Sequence, residues 1–276
     1  MSREPQVVKS NHIINAAYRL SVVEQRVILA CISKIPRNEA ITDQHMYTVT
    51  AEEISQLSGT DINSAYRDLS EASKRLYDRS ITILKDPDGE NRPSRRRMTR
   101  WIQTVDYIES EGRVELRFGT DMIPFLNQLT EQFTRYALSD VAKMSSSYSI
   151  RLYEFFIQWK HTGKRQILAE IDQLRYLLDL ENKYSAIKDL KRRVIDLAVA
   201  EINEHSPLTV SYEQKKTGRK ITHLLFTIKF TSTAKKARQT ATYSPPPVQK
   251  NSSLPRTPEE KEMALEAIKQ MKLGLK

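Results

Sequence analysis

The chain has 276 residues, 39% of them hydrophobic, enough for one large domain or two small ones that each bury a core. Lys and Arg number 44 against 34 Asp and Glu, and the net charge of +10 suits a polyanionic partner, either nucleic acid or an acidic membrane surface. No apolar run approaches the roughly 20 residues of a membrane span, residues 1–10 are too polar for a secretory signal, and a single cysteine excludes an internal disulfide. The expectation is a soluble, cytoplasmic protein with no membrane partner.

Residues 22–35 carry Val23, Val27, Ile28, Cys31 and Ile32 at helical spacing, and Pro36 closes the helix. Cys31 reads as a buried structural thiol, and a lone cysteine argues against a Cys-based zinc site. A short strand at 47–50 leads into helices at 51–57 and 61–78, separated by Ser58, Gly59 and Thr60, the pattern of a helix-turn-helix. In the second of these, Ile62, Ala65, Leu69, Ala72 and Leu76 form the buried stripe, while Ser64, Arg67, Glu71 and Arg75 point away from it. Residues 80–84, 101–109 and 113–118 read as strands. Between the first two of them runs a long loop that begins Asp86, Pro87, Asp88, Gly89 and continues into a basic stretch. Helix-turn-helix followed by a hairpin describes a winged helix.

The same order then repeats without shared sequence. Residues 146–161 read as a helix, 166–170 as a strand, 171–178 as a short helix and 185–203 as a long one. The long helix places Ile187, Leu190, Val194, Leu197, Ala198 and Ile202 on its apolar side, with Arg192 and Arg193 projecting away. Strands at 208–212 and 222–230 flank a basic hairpin tip at 214–220, completing a second winged helix. From Thr231 the composition turns to Lys, Thr, Ser and Pro, which predicts a flexible tail. Within it Thr257, Pro258 and Glu260 cap a short helix whose stripe is Met263, Ala264, Ala267, Ile268 and Met271. The expected fold class is therefore α+β, with two tandem winged-helix domains at 1–143 and 144–231 and a tail at 232–276.

Candidate DNA contacts fall in four groups. Asn63, Ser64 and Arg67 open the first recognition helix, where arginine reads guanine and asparagine adenine through paired hydrogen bonds, and Lys74 and Arg75 lie further along it. Because Glu71 and Asp78 share that face, it reads equally as a solvated surface. Arg92, Arg95, Arg96, Arg97 and Arg100 form a cluster without an intervening acid, suited to phosphate contact or to a solvated loop. Lys188, Lys191, Arg192 and Arg193 occupy the first half of the second long helix, the half that enters a major groove. Asp189 and Asp196 share its outward face, so they must pair with the arginines, accept from cytosine, or point aside. Lys215, Lys216, Arg219 and Lys220 supply a basic wing beside them, which favours a DNA surface over a ladder of ion pairs.

Nothing in the sequence assembles a catalytic set. There is no phosphate-binding loop, and the histidines at 12, 45, 161, 205 and 223 never form the close pairs of a metal site. Tyr148 and Tyr153 lie on an amphipathic helix and read as core or interface. The chain is expected to be no enzyme and to carry neither cofactor nor metal. A nicking initiator would need paired histidines, whereas a tandem winged-helix repressor would present the same DNA surface.

Several stretches, from about Val7 to Phe230, together resemble the iteron-binding plasmid replication initiators. They are AYRLSVVEQR at 17–26, YSIRLYE at 148–154, DLKRR at 189–193, AEIN at 200–203 followed by Pro207, and the wing KKTGRKITHLLFTIKF at 215–230. The resemblance implies a bacterial protein whose monomer binds direct repeats at a plasmid origin and whose homodimer represses its own gene through an inverted repeat. It also implies the host replication initiator and replicative helicase as partners. By matching position, the second recognition helix carries over to Lys188, Lys191, Arg192 and Arg193, and its wing to Lys215, Lys216, Arg219 and Lys220. The tail from Thr231 departs from the pattern.

Overall fold

The computed structural model describes residues 4–230 except 38, 85–95, 128, 130 and 131. The described chain opens with strand β1 (Gln6–Ser10), which pairs antiparallel with β7 (Phe133–Ala137) and so ties the amino-terminal segment to the end of the first half. The Ser10 hydroxyl accepts from the His12 amide and starts a single helical turn, α1 (Asn11–Ile14). Helix α2 (Val22–Ser33) begins with a capping box: Ser21 Oγ accepts from the Glu24 amide while Glu24 accepts from the Ser21 amide. From Val27 to Ile32 every side chain of α2 is buried, because the helix runs through the core with neighbours on all sides.

The first winged helix then follows as read from the sequence. Strand β2 (Tyr47–Thr50) leads into α3 (Ala51–Ser58), capped by Thr50 and stopped by Gly59 in the left-handed region at φ 74°. Asp61 caps α4 (Ile62–Leu76), whose Ala65, Leu69, Ala72 and Leu76 are all buried while Ile62 is partly exposed. Next come β3 (Ser80–Ile83), β4 (Arg97–Arg100), β5 (Ile102–Ile108) and β6 (Arg113–Phe118). The sheet of this half has the order β2-β6-β5, and β3 with β4 forms a separate two-stranded hairpin.

Strand β4 corrects the sequence reading, which placed residues 97–100 in a loop. Thr82 pairs with Met98 and Ile81 with Thr99, so the strand exists because β3 offers it a ladder and not because RMTR favours extension. Arg97 and Arg100 consequently stand on a strand paired with β3. The hairpin that closes the three-stranded sheet is β5–β6, and it turns through Glu109, Ser110, Glu111 and Gly112, an acidic tip.

After a 3-10 segment (Thr120–Phe125), β7 and the short α5 (Ser139–Ala142), helix α6 (Ser147–Ile157) is buried from Ser149 to Ile157 and packs against both halves. The second half has β8 (Gln166–Glu170), α7 (Ile171–Leu177) and a long helix made of α8 (Ile187–Leu190), a π-turn (Lys191–Ile195) and α9 (Asp196–His205). Strands β9 (Leu208–Thr217) and β10 (Lys220–Phe230) complete a sheet of order β8-β10-β9. The described residues form one compact unit, with a core continuous from Val7 to Ile228. The short helix expected around residues 257–271 lies outside the described residues.

The π-turn overturns one expected core position. Fitting an extra residue into one turn rotates everything downstream back by about 100° relative to a regular helix. Ile195 is thereby buried and Leu197, counted in the apolar stripe, is 43% exposed. Ala198 and Ile202 remain in the core.

Candidate nucleic-acid interface

The long helix of the second half presents exposed positive charge beside an exposed basic wing. Leu190 and Val194 anchor it from below, leaving Lys188, Arg192 and Arg193 in solvent and Lys191 half-buried. Both acids on this face have partners. Asp189 Oδ1 lies 3.3 Å from Arg192 Nη2 and 4.0 Å from Arg193 Nε. Asp196 Oδ1 accepts from the Tyr212 hydroxyl at 2.5 Å. Burial, reinforced by that acceptor, pushes the Tyr212 hydroxyl well above the ordinary tyrosine range and keeps it a donor. Arg192 and Arg193 are 65% and 57% exposed, so their ion pairs with Asp189 are weak, and a phosphate or base edge competes with them readily.

Tyr212 also fixes the wing. It stands on β9, 5.9 Å from the Lys191 ammonium by its ring centroid, and packs on Phe226 of β10. Helix and wing therefore share one frame. The wing turns at Gly218 with φ 62°, and its cross-strand contact is Thr217 Oγ1 to Thr222 Oγ1 at 2.8 Å. Lys215, Lys216, Arg219 and Lys220 are all exposed, with Glu213 3.1 Å from Lys215 as the local counter-charge.

In the first half the candidates divide. Asn63 and Arg67 are exposed at the start of α4, and Arg67 Nη2 touches Ser64 Oγ at 3.5 Å, with Asp68 3.7 Å from its Nε. Lys74 is exposed near the end of the same helix. Arg75 is exposed but paired: its Nε donates to the buried Glu24 at 3.0 Å and its Nη1 to Glu71 at 3.3 Å. The Glu24 bond raises the Arg75 pKa, and Glu71 adds to it. On β4, Arg100 donates to the Tyr77 carbonyl at 2.7 Å and stacks over the Tyr77 ring at 5.1 Å. Arg97 lies 3.7 Å from Asp121, and Arg96 is exposed. Arg92 and Arg95 lie outside the described residues.

The other sequence stretches singled out turn out to be joints. Glu201 of the AEIN stretch accepts from the amides of Ser145 and Ser146, both at 3.1 Å, and so ties α9 to the residues that lead into α6. Asn203 brackets Val210 through both side-chain atoms, fixing where β9 begins. Sequence reasoning missed Tyr212 and also Arg175, whose guanidinium holds the carbonyls of Lys183, Tyr184 and Ser185 just ahead of the long helix. No local pattern announces either residue, since both act across a turn that only the fold closes. Among the described residues, no cluster of His, Cys, Asp and Glu could hold a metal, and no helix is long and apolar enough to cross a membrane.

Two family descriptions match this architecture: "Initiator Replication protein, WH1" over residues 6–157 and "Initiator Rep protein, WH2" over residues 170–228. The chain belongs to this family of replication initiators. Its function is the family's, initiation of plasmid replication through DNA binding. The initiator is 26% identical over 227 residues to an Escherichia coli replication initiation protein, a match covering 80% of this chain and 69% of the relative. It is 27% identical over 232 residues to an uncharacterised 27.6 kDa Escherichia coli protein, covering 79% and 93%. The crystal structure of the Pi initiator protein in complex with iteron DNA shares its fold at a TM-score of 0.70 and 24% identity, covering 83% of this chain and 98% of that one.

Proposed function

We propose that this initiator binds directly repeated sites at a plasmid origin as a monomer, with residues 1–143 and 144–231 as two DNA-reading modules. The observation that carries the reading is the basic helix face of Lys188, Arg192 and Arg193 set beside the basic wing on one tyrosine-braced frame. A recognition helix in the major groove with a wing on the neighbouring backbone is what such a frame fits. Asn63, Ser64, Arg67 and Lys74 form the corresponding surface of the first module, while Arg75 and Arg100 serve mainly to hold that module together. The fold shared with a protein crystallised on iteron DNA supports the assignment of the target. Footprinting on the DNA flanking the gene tests it. Two tandem modules protect about two helical turns on one face of the duplex, and protection of a single turn refutes the arrangement.

A two-fold dimer matches an inverted repeat as a monomer matches a direct one, and repression of its own gene through such a dimer is what the resemblance to the family implies. Strand β5 lies at the edge of its sheet, and its acidic neighbouring turn disfavours phosphate, so this edge is the surface we assign to the partner copy. Helix α2, by contrast, is spent on the core. Ultracentrifugation on each DNA distinguishes the species, and a dimer on a single direct repeat counts against the scheme. Recruitment of a host initiator and a replicative helicase completes the reading. Opening of origin DNA by the protein separates it from a repressor with the same DNA surface.

A further inference from the structure

Arg151 lies on α6 with a side chain only 3% exposed. One nitrogen, Nη2, donates to two carbonyls: Ala16 at 2.7 Å, which belongs to the first half, and Leu177 at 3.0 Å, the last residue of α7 in the second. The guanidinium plane rests on the Tyr18 ring, 3.6 Å from its centroid, and Glu154 Oε2 lies 3.6 Å from Nη1. Glu154 in turn pairs with the buried Lys9 of β1 at 2.6 Å and accepts from the Tyr136 hydroxyl at 2.5 Å. Two buried cations thus share one buried carboxylate. Arg151 Nε has no hydrogen-bond acceptor among the described residues. Such an arrangement is a poor way to gain stability, since desolvating the charges offsets most of their attraction, and an apolar core of the same volume serves better. Its distinctive property is directional: two backbones are held at one angle through one planar group.

The contacts around it act in the same sense. Gln25 donates to the Ser147 carbonyl at 3.1 Å, Arg26 Nη2 to the Met144 carbonyl at 3.1 Å, and the Tyr176 hydroxyl of α7 to the Thr82 carbonyl of β3 at 3.3 Å. We infer that Arg151 is a positioning residue for site spacing: it fixes the angle between the two modules and thereby sets which separation of half-sites the protein accepts. This rests on the tandem-binding reading above. A rigid pair of modules gains its second contact intramolecularly only where the DNA presents both grooves in phase, while a loosened pair gains less but tolerates more. Each added base pair turns the second groove by about 34° and moves it about 3.4 Å.

The test uses the full chain and the repeat it selects from randomised duplexes, in three forms: native, lengthened by two base pairs between the half-sites, and carrying the second half-site alone. The wild type is expected to lose about thirtyfold in affinity on the lengthened site. Arg151→Met, which removes both carbonyl contacts but keeps apolar bulk, is expected to bind the native site about tenfold more weakly, to lose less than about fivefold further on lengthening, and to bind the single half-site as the wild type does. Arg151→Lys keeps the charge without the planar fork and falls between, which also provides the answer if the methionine variant does not fold. A folded variant that discriminates spacing as sharply as the wild type overturns the role of Arg151. A wild type indifferent to spacing overturns the tandem reading itself.

Discussion

Replacing Glu24 tests how the first recognition helix is held. Its carboxylate is fully buried and accepts four hydrogen bonds: from the Ser21 amide at 2.8 Å, from Arg75 Nε at 3.0 Å, and from Arg79 Nε and Nη2 at 2.9 and 3.0 Å. Glu24→Ala leaves the Ser21 cap in place but removes the acceptor of the Ser21 amide, the reciprocal half of the capping box, worth about 1 kcal/mol. It also strips two guanidiniums of their acceptor, and because these are 46% and 34% exposed they rehydrate, so each contributes about 1 kcal/mol in place of the larger value for a sealed pair. The expected loss is about 3 kcal/mol for alanine and about half that for glutamine, which retains an acceptor but no charge. Burial opposes ionisation of Glu24, but the bonds from Arg79, Ser21 and Arg75 outweigh it and hold the carboxyl below its usual range. A lowered folded-state pKa contributes stability that is present above the unfolded value and lost as pH falls through the folded one. The gap between wild type and Glu24→Gln should therefore be full at pH 7 and shrink below about pH 4.5. Urea unfolding across that range measures it. A gap that stays constant with pH, or an alanine variant within about 0.5 kcal/mol of wild type, refutes the reasoning.

Arg192→Ala or Arg193→Ala should weaken binding to the specific site by about 1 to 3 kcal/mol and binding to random duplex by less, as competition gel shifts will show; equal losses mean phosphate contact only. Neutralising Lys215, Lys216, Arg219 and Lys220 together should lower the slope of log affinity against log salt by up to about four times 0.9, and an unchanged slope removes the wing from the interface. Gly112 sits at φ 54°, and a Cβ there would lie 1.7 Å from Tyr66 Cε1. Gly112→Ala is expected to destabilise by about 1 to 3 kcal/mol, with the steric part recovered in the double variant with Tyr66→Ala. Cys31 is wholly buried and its thiol is pushed up to about 12, chiefly by burial, so a disulfide reagent should label it only on unfolding. Stoichiometric labelling in native buffer would contradict that.

What the sequence disclosed was whatever is periodic or local. Ala65, Leu69, Ala72 and Leu76 recur at helical spacing because α4 buries one stripe, and Gly218 between basic strands marks a turn wherever it occurs. Pairings between distant segments left no such trace. Strand β1 is extended because β7 receives it, and RMTR becomes β4 because β3 lies alongside. Leu197 was misplaced because a regular helix was assumed where the chain winds a π-turn, and nothing in KRRVI itself announces the extra residue. At the site, charge located the second helix and wing correctly as an exposed surface. Charge could not show that Arg75 belongs to Glu24, since that carboxylate comes from a helix far earlier in the chain.

The interlock of the two halves has a consequence for the DNA as well as for the protein. A caliper that does not flex leaves any mismatch between its jaws and the duplex to be absorbed by the base pairs it spans. Bending or retwisting those steps costs a few kcal/mol and varies with sequence, least at pyrimidine–purine steps. On the tandem-binding reading proposed above, the segment between the two half-sites should carry preferences of its own, with stiff A-tracts disfavoured and TA or CA steps favoured. Substituting only those intervening base pairs and measuring affinity and bend angle together would reveal this third element of recognition, written in the mechanics of the helix and not in its base edges.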